Sequence, residues 1–264
     1  MSLPIFQVDA FADQVFHGNP AAVCPLPTWL PTATLQAIAA ENNLSETAFV
    51  VATADGWAIR WFTPATEVDL CGHATLAAAH VLFAQDPTRH TLVFASQSGP
   101  LTVARDGERI VLDFPSRPAV PCDAIEAVAA ALGLRPLTLA VARDYLAVFA
   151  SEDQVRQLQP DMARLAALPE FGLIATAPGR DCDFVSRYFA PREGVPEDPV
   201  TGSAHCTLVP YWARRLGKTV LHARQVSARG GELFCEDRGE RVRIAGRAVL
   251  YLTGSIAIAD AGIR

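Results

Sequence analysis

Three titratable side chains in this sequence have the chemistry to move a proton within a small molecule. Glu46 stands in the stretch N-N-L-S-E-T and directly precedes an apolar run, 48–51, that predicts a buried strand. A carboxylate is rarely buried without a partner, so an acid at this position is a candidate general acid or base. His73 follows a glycine, and Asp198 lies four residues before another glycine. The three side chains together are candidate proton-transfer groups.

The two glycines begin apolar segments that predict helices. Gly72 opens the alanine-rich run 72–83, and Gly202-Ser203 opens a second run at 202–216. A helix N-terminus carries unpaired N–H groups and partial positive charge, and glycine lets a ligand approach the backbone closely. If both starts point into one cleft, a small anion binds there, most simply a carboxylate. Glu46 would be the proton-transfer group in that cleft, with His73 and Asp198 beside it.

Each of these residues also has a purely structural interpretation. Glu46 after Ser45 can decorate the start of a strand, and a lone histidine in an apolar helix is typically a hydrogen-bonded core residue. Asp198-Pro199 is typical of a helix N-cap followed by proline at the first helical position. Gly72 and Gly202 can serve close helix–sheet contact. Recurrence at matching places in the two halves of the chain favours the functional interpretation.

That recurrence is an internal repeat. Residues 60–79 and 187–209 both contain Arg-aromatic-Phe-x-Pro, an acidic loop, a glycine and a small-residue apolar run, in that order. The offset is 127 residues in a chain of 264, which indicates duplication of one ancestral unit.

The elements that must position these residues are short strands and a few helices. Helices are predicted at 32–41, 72–83, 123–132, 152–167 and 202–216, with a kink at Pro210. Strands are predicted at 4–9, 48–51, 59–62, 91–95, 101–104, 110–114, 146–150, 183–189 and 248–258. Many short strands with one buried helix per half indicate an α+β fold, each half wrapping a curved sheet around its central helix. Three prolines in 115–121 mark the boundary between the halves.

Composition excludes several classes of function. The net charge is −6 and no Lys/Arg cluster is longer than Arg214-Arg215, which disfavours a nucleic-acid or anionic-membrane partner. No apolar stretch has transmembrane length. Six scattered cysteines without a C-x-x-C pair are typical of reduced thiols, so a cytoplasmic location is expected.

Six motifs in the chain resemble the PhzF-like (phenazine-biosynthesis-like) family of the diaminopimelate-epimerase superfamily. They are D-A-F-A-D-Q-V-F-H-G-N-P-A-A-V-C (9–24), E-N-N-L-S-E-T-A-F (41–49), R-W-F-T-P (60–64), E-V-D-L-C-G-H-A-T (67–75), D-F-V-S-R-Y-F-A-P (183–191) and E-D-P-V-T-G-S-A-H (197–205). The resemblance implies two similar barrel-like domains related by pseudo-two-fold symmetry, with the active site in the cleft between them. It implies domains of 1–116 plus about 246–264 and of 117–245, no metal or organic cofactor, and commonly a homodimer.

The resemblance also implies roles for particular residues. In the family's phenazine enzyme the glutamate matching Glu46 is the acid/base that moves a proton within a cyclohexadiene acid, and the matching site residues are His73, Asp198 and Ser203. Epimerases and racemases of the superfamily use one cysteine from each half. Here the copies align Cys71 with Thr201, so two-cysteine racemisation is disfavoured and Cys71 is interpreted as a packed thiol.

We therefore predict a cofactor-independent isomerase acting on a small carboxylic acid. Glu46 would shuttle the proton, and N–H groups near Gly72 and at Gly202-Ser203 would hold the carboxylate. A dehydratase or lyase that abstracts a proton α to a carboxylate is one alternative, since a Cys/Thr pairing is similar to hydroxyproline dehydratases. A non-catalytic protein that binds small acids is another.

Two remaining features carry weaker expectations. Asn19, between Gly18 and Pro20, is typical of a turn and secondarily a substrate contact. His73 and His80 lie seven residues apart on a predicted helix, but no H-E-x-x-H motif or Cys/His cluster accompanies them, so no metal is expected.

Overall fold

The structure, a computed structural model of the chain, describes residues 1–258. The chain forms two compact units: Met1–Leu112 together with the segment that starts at Gly246, and Asp113–Ala245. Residues 259–264, which the predicted first domain includes, lie outside the described residues. Within the described part, no helix is both long and apolar enough to cross a membrane.

The first unit is built on one mixed sheet. Its strands are β1 (Ser2–Ala10), β2 (Asn19–Leu26), β3 (Glu46–Thr53), β4 (Gly56–Phe62), β5 (Glu67–Val68), β6 (Thr91–Ser96), β7 (Gly99–Asp106), β8 (Arg109–Pro115) and β18 (Ala248–Ala257). The spatial order is β18-β1-β2-β3-β4-β6-β7-β8, with short β5 beside β4. The pairs β2/β3 and β4/β6 are parallel and the others antiparallel.

Each parallel pair in this unit is joined through a helix, because parallel neighbours need a crossover connection. Helix α1 (Thr32–Asn42) links β2 to β3, and α2 (Gly72–Gln85) lies between β5 and β6. Asn43 ends α1 in the left-handed conformation, with φ 50°. Nearly every residue of α2 from Gly72 to Phe83 is buried, as expected for a helix apolar on all faces.

The second unit repeats this arrangement. Its strands are β9 (Val120–Pro121), β10 (Thr138–Val141), β11 (Tyr145–Val148), β12 (Leu173–Pro178), β13 (Phe184–Ala190), β14 (Val195–Asp198), β15 (Val220–Gln225), β16 (Gly231–Asp237) and β17 (Arg241–Gly246). Its helices are α3 (Ile125–Leu132), α4 (Glu152–Gln157), α5 (Met162–Ala166) and α6 (Gly202–Leu216), with a 3-10 turn at Pro191–Glu193. The order β9-β10-β11-β12-β13-β15-β16-β17, with β14 beside β13, matches the first unit strand for strand.

Strand direction matches as well as strand order. The parallel pairs of the second unit are β11/β12 and β13/β15, at the same places as β2/β3 and β4/β6. The α+β class and the predicted similarity of the two halves are therefore confirmed. In the first unit, the place that β9 holds in the second is taken by the C-terminal strand β18.

The repeated Arg-aromatic-Phe motif has a structural reason. The guanidinium of Arg60 on β4 pairs through two nitrogens with both carboxylate oxygens of Glu67 on β5, at 2.7 and 2.6 Å. Arg187 on β13 pairs in the same way with Glu197 on β14, at 2.7 and 2.8 Å. Such forked pairing fixes the short side strand that leads to the central helix in each unit.

The central helix of the second unit is anchored by a buried tryptophan. Trp212 of α6 is fully buried, stacks on Phe184 with ring centroids 5.7 Å apart, and donates through Nε1 to Thr176 Oγ1 at 3.0 Å. A buried indole needs a partner for its N–H, and Thr176 supplies it. This face of α6 is therefore held rigidly against β12 and β13.

The single helix predicted at 152–167 is wrong. The structure has two short helices there, α4 and α5, separated by the segment 158–161. Pro160 cannot donate an intrahelical hydrogen bond, and the Asp161 side chain accepts from Ala163 N–H and Arg164 N–H, which starts a new helix. Proline and an N-cap aspartate together divide the helix.

Candidate active site

The first cluster of candidate residues lies in the first unit, where three elements begin side by side. Asn19 is the first residue of β2, Glu46 is the first residue of β3, and His73 is in the first turn of α2. The parallel register pairs Ala21 with Glu46, so the starts of β2 and β3 are neighbours. The fold therefore brings together side chains from three separate sequence motifs.

These side chains form a chain of polar contacts. Asn19 Nδ2 lies 3.1 Å from His73 Nδ1, and His73 Nε2 lies 3.0 Å from Glu46 Oε2. His73 is 5% exposed in its side chain and Glu46 is 16% exposed. The imidazole is thus enclosed, whereas the carboxylate keeps access to solvent and to a ligand.

The contact between His73 and Glu46 is an ion pair rather than an aligned hydrogen bond. Glu46 Oε2 is buried and, among the described residues, accepts no hydrogen bond of good geometry, although the ring nitrogen is 3.0 Å away. Poorly aligned contacts between catalytic groups are common in the absence of substrate. The attraction at this site is therefore mainly one of charge.

Neighbouring negative charges favour the protonated form of His73. Burial by itself lowers the pKa of His73, but the neighbouring Cys71 sulfur and Glu46 carboxylate outweigh burial, and the pKa lies well above its ordinary value. Burial raises the pKa of the Cys71 thiol to about 11, with the Glu46 charge adding to the effect. With the thiol protonated at pH 7, the Glu46 carboxylate is the negative charge that favours the protonated ring there.

Cys71 lies inside this cluster but does not have the character of a base. It is buried, and its Sγ is 3.6 Å from His73 Nδ1. A thiol with a raised pKa is a poor nucleophile and a poor proton acceptor near pH 7, which supports its interpretation as a packed thiol. Ligand atoms of Glu46, Cys71 and His73 lie within 4.8 Å of one another, so the trio also has the atom types that can hold a metal ion.

The second cluster lies in the second unit, around the turn between β14 and α6. Asp198 is the last residue of β14 and accepts a short hydrogen bond from Thr201 Oγ1. The interpretation of Asp198 as a helix N-cap is wrong, because the N-cap is Thr201, three residues later. Gly202 and Ser203 form the first turn of α6, with Gly202 buried and Ser203 partly exposed.

Gln225 organises this turn, and sequence reasoning missed it. Its side chain is 1% exposed. It accepts from Thr201 N–H at 2.8 Å and donates to the Asp198 carbonyl at 2.7 Å and to Thr201 Oγ1 at 3.2 Å. The only signal in the sequence is a polar residue at the end of the run V-L-H-A-R-Q, which does not reveal the contact.

The two central helices begin in the same way. Cys71 precedes α2 and Thr201 precedes α6, both in extended conformation, and neither side chain caps the helix it precedes. The first N–H groups of both helices, at Gly72 and Gly202, are therefore left without a side-chain cap. This is the local arrangement that the prediction of carboxylate binding requires.

Of the predicted site residues, Asn19, Glu46, Gly72 and His73 belong to the first unit, and the other three belong to the second. The meeting of the two groups in one cleft stays a prediction. The expectation of a turn at Asn19 is wrong: the turn is at Gly18, with φ 65°, where a Cβ would lie 2.1 Å from the Ala10 carbonyl oxygen.

Comparison with known proteins identifies the family. The family model described as phenazine biosynthesis-like protein, PhzC-PhzF, matches residues 8–254. The chain belongs to the phenazine biosynthesis-like family. Two uncharacterized isomerases of Pseudomonas aeruginosa are 54% and 55% identical to it, over 97% and 98% of this chain and 99% and 100% of theirs.

Solved structures agree with this assignment. A PhzF-family protein of Enterococcus faecalis is 49% identical, with a TM-score of 0.96 over 98% of this chain and 100% of that one. A hydroxyproline epimerase from Agrobacterium vitis shares the fold alone, at 10% identity and a TM-score of 0.62 over 98% of this chain and 94% of that one. The predicted family is confirmed, and the named relatives support an isomerase.

Proposed function

We propose that this protein is a cofactor-independent isomerase that moves a proton within a small carboxylic acid, with Glu46 as the general acid and base. The observation that supports this most directly is the Asn19–His73–Glu46 chain, which ends in a partly exposed carboxylate. A partly exposed acid backed by a buried histidine whose pKa is raised is an arrangement suited to proton transfer, and it is not needed to stabilise a strand start.

The chemistry follows from the geometry of the carboxylate. Glu46 Oε2 faces His73, so Oε1 is the oxygen available to take a proton from a substrate carbon. The protonated carboxyl then returns the proton to a second carbon of the same molecule, and the double bond shifts between them. His73 orients the carboxylate, and the side-chain amide of Asn19 lies against Nδ1 of the ring, where a protonated imidazole requires the amide oxygen as its acceptor.

The substrate carboxylate has a binding site in this proposal at the uncapped helix starts. Backbone N–H groups near Gly72 and at Gly202-Ser203 would hold it and stabilise negative charge that develops during proton removal. Asp198 would orient the substrate or relay a proton. The role of Asp198 requires the two units to contribute to one site, as the family resemblance implies.

The proposal is tested by isotope exchange. The protein is incubated in D₂O with a set of small unsaturated and hydroxy carboxylic acids, and each acid is examined by NMR and mass spectrometry. Deuterium uptake at carbon in at least one acid, with no change in elemental composition otherwise, is the expected result. Tight binding of acids without exchange into any of them would instead indicate a binding protein.

The same experiment separates the isomerase from a lyase. The pairing of Cys71 with Thr201 before the two central helices is the feature that favours the lyase. A lyase abstracts the same kind of proton but expels water, so the product mass falls by one water molecule. Loss of water from a hydroxy acid without an isomeric product would replace the isomerase assignment with that of a dehydratase.

Gln225 provides a prediction for the second cluster. Replacing Gln225 with leucine removes three hydrogen bonds from the Asp198–Thr201 turn, so we expect kcat to fall by about 10²-fold, with KM changing less. A misplaced positioning group affects the reacting geometry more than ground-state binding. Steady-state kinetics on a substrate found by isotope exchange measures both constants.

The matched control is Gln225→Glu. Glutamate keeps an oxygen that accepts from Thr201 N–H but cannot donate to the Asp198 carbonyl, so intermediate activity is expected. Equal and full kcat in both variants would show that Gln225 has only a structural role.

A further inference from the structure

A cavity of about 620 Å³ lies in the second unit, beside the last turns of α6. A volume of this size is typical of sites that bind small organic molecules. Its walls are three segments far apart in sequence. The lining residues are Pro118, Ala119, Pro121, Thr138, Leu139, Ala140, Pro210, Tyr211, Arg214 and Arg215.

The walls of this cavity are held in place by the proline inside α6. Pro210 has no N–H, so the carbonyl of Cys206 lacks its usual partner four residues later. The backbone N–H of Arg117 donates to that carbonyl instead, at 2.9 Å. This bond fastens the start of the 117–121 segment to the helix. On the other side, Pro121 pairs with Ala140 in the β9/β10 ladder. The cavity is therefore part of the fold.

Two arginines, Arg214 and Arg215, line the cavity without an acidic partner among the described residues. Among the described residues, no carboxylate lies within ion-pair distance of Arg214 or Arg215, and neither donates a hydrogen bond to a side chain or carbonyl. Other arginines of this unit pair closely, for example Arg156 with Glu152 at 2.7 Å and Arg241 with Asp113 at 2.8 Å. In a chain of net charge −6, two adjacent unpaired arginines are a local excess of positive charge.

One of the two arginines is also restrained. The Arg215 guanidinium lies over the ring of Trp212, 5.9 Å from its centroid, and Trp212 is itself fully buried. A cation stacked on a fixed aromatic ring loses less conformational freedom when it binds a ligand.

The dipole of α6 is one reason for two arginines in its last turn, but it does not explain why they line a cavity. Arginines in the last turn of a helix are stabilised by its carbonyl groups, and α6 ends two residues after Arg214. That effect requires neither a lined cavity nor an apolar wall. Here the arginines border an apolar surface formed by Leu139, Tyr211 and prolines, and no acidic residue lines it.

We propose that this cavity binds an organic anion with an aromatic or alicyclic body. The carboxylate or phosphate would be held by Arg214 and Arg215, whose forked N–H groups match both kinds of anion. The apolar body would pack on Leu139 and on the Tyr211 ring. This binding does not depend on proton transfer at Glu46, which belongs to the other unit of the chain.

The test uses three probes of one shape: 2-naphthoate, 2-naphthyl phosphate and the neutral alcohol 2-naphthylmethanol. Isothermal titration calorimetry measures their affinities for the full chain and for the double variant Arg214→Gln/Arg215→Gln. We expect an anionic probe to bind at least about tenfold more tightly than the alcohol, and the double variant to lose that difference. Which anion binds more tightly distinguishes a carboxylate ligand from a phosphate ligand.

Arg164→Gln is the matched control, since Arg164 is an exposed arginine of the same unit that does not line the cavity. Its affinities should equal those of the wild type. NMR amide shifts on probe binding should centre on Leu139 and Tyr211. Unchanged affinity in the double variant would overturn the proposal. A second result would also overturn the proposal: the wild type binds no probe, and the double variant sediments as a smaller species than the wild type. The cavity face would then be a contact surface for a second copy of the chain.

Discussion

Replacing Glu46 with glutamine is expected to lower kcat about 10²–10⁴-fold, because glutamine has nearly the same shape but can neither take nor give the proton. Deuterium uptake into the substrate should fall in parallel, since both depend on the same proton transfer. KM is expected to stay constant or to fall, because the variant removes a negative charge that would face an anionic substrate. Steady-state kinetics and D₂O exchange on the same preparation measure these quantities.

The matched control for this variant is Glu41→Gln. Glu41 is an exposed glutamate of α1, so its substitution should change neither kcat nor exchange. Circular dichroism and an unfolding curve establish that the Glu46 variant is folded. A folded Glu46→Gln protein with full turnover would remove Glu46 from the mechanism and leave the fold assignment untouched.

Much of the fold is predictable from the sequence because the chain is a duplication. The Arg-aromatic-Phe motif, the acidic loop and the glycine-led helix recur at nearly constant offset, and each feature has a local physical reason. The forked ion pairs Arg60–Glu67 and Arg187–Glu197 fix equivalent side strands. The central helix α2, which is apolar on nearly all faces, is visible as a run of small apolar residues. Local patterns and long-range packing agree at these places.

Elements whose local pattern conflicts with their tertiary environment were not predictable. Strand β2 contains Pro20 and Pro25, and proline argues against a strand on local grounds. Its position between β1 and β3 is set by long-range pairing, which a single sequence does not display. Strands β15, β16 and β17 carry many charged side chains on one face, so their alternation of burial was missed.

The candidate site also contains some residues that can be predicted from the sequence and others that cannot. Glu46 and His73 are visible as unusual polar residues in apolar surroundings. Gln225 is not visible, because its importance comes from three hydrogen bonds to a turn more than twenty residues away in sequence. Cys71 is visible as a cysteine beside a glycine and a histidine, but its neutrality follows from burial and from the charge of Glu46, which require coordinates.

The His73–Glu46 pair should make stability depend on pH. The folded pKa of His73 lies well above the value of 6.5 expected in the unfolded chain, so between the two pKa values the folded state binds more protons. The free energy of unfolding must then fall as pH rises through this interval. The contribution of the pair is fully present below about pH 6.5 and is lost as pH rises through the folded pKa. Urea unfolding at a series of pH values measures this.

Replacing His73 with glutamine isolates that contribution. The variant leaves the Glu46 carboxylate without its cation, and we expect a loss of about 3 kcal/mol near pH 6. This is the lower end of the range for breaking a buried pair, because Glu46 is still 16% exposed. The difference in the free energy of unfolding between this variant and the wild type should shrink as pH rises through the pKa of His73 in the folded protein.

Two further variants identify the partner of the imidazolium. When both proteins also carry Glu46→Gln, the His73→Gln substitution should change the free energy of unfolding by the same amount at every pH. The reason is that no carboxylate remains beside the ring to favour its protonated form. In Cys71→Ala the pH dependence should persist near pH 7, since the thiol, with a pKa of about 11, is neutral there. If Cys71→Ala abolishes the pH dependence and Glu46→Gln does not, the anion beside His73 is a thiolate, and Cys71 rather than Glu46 becomes the candidate base.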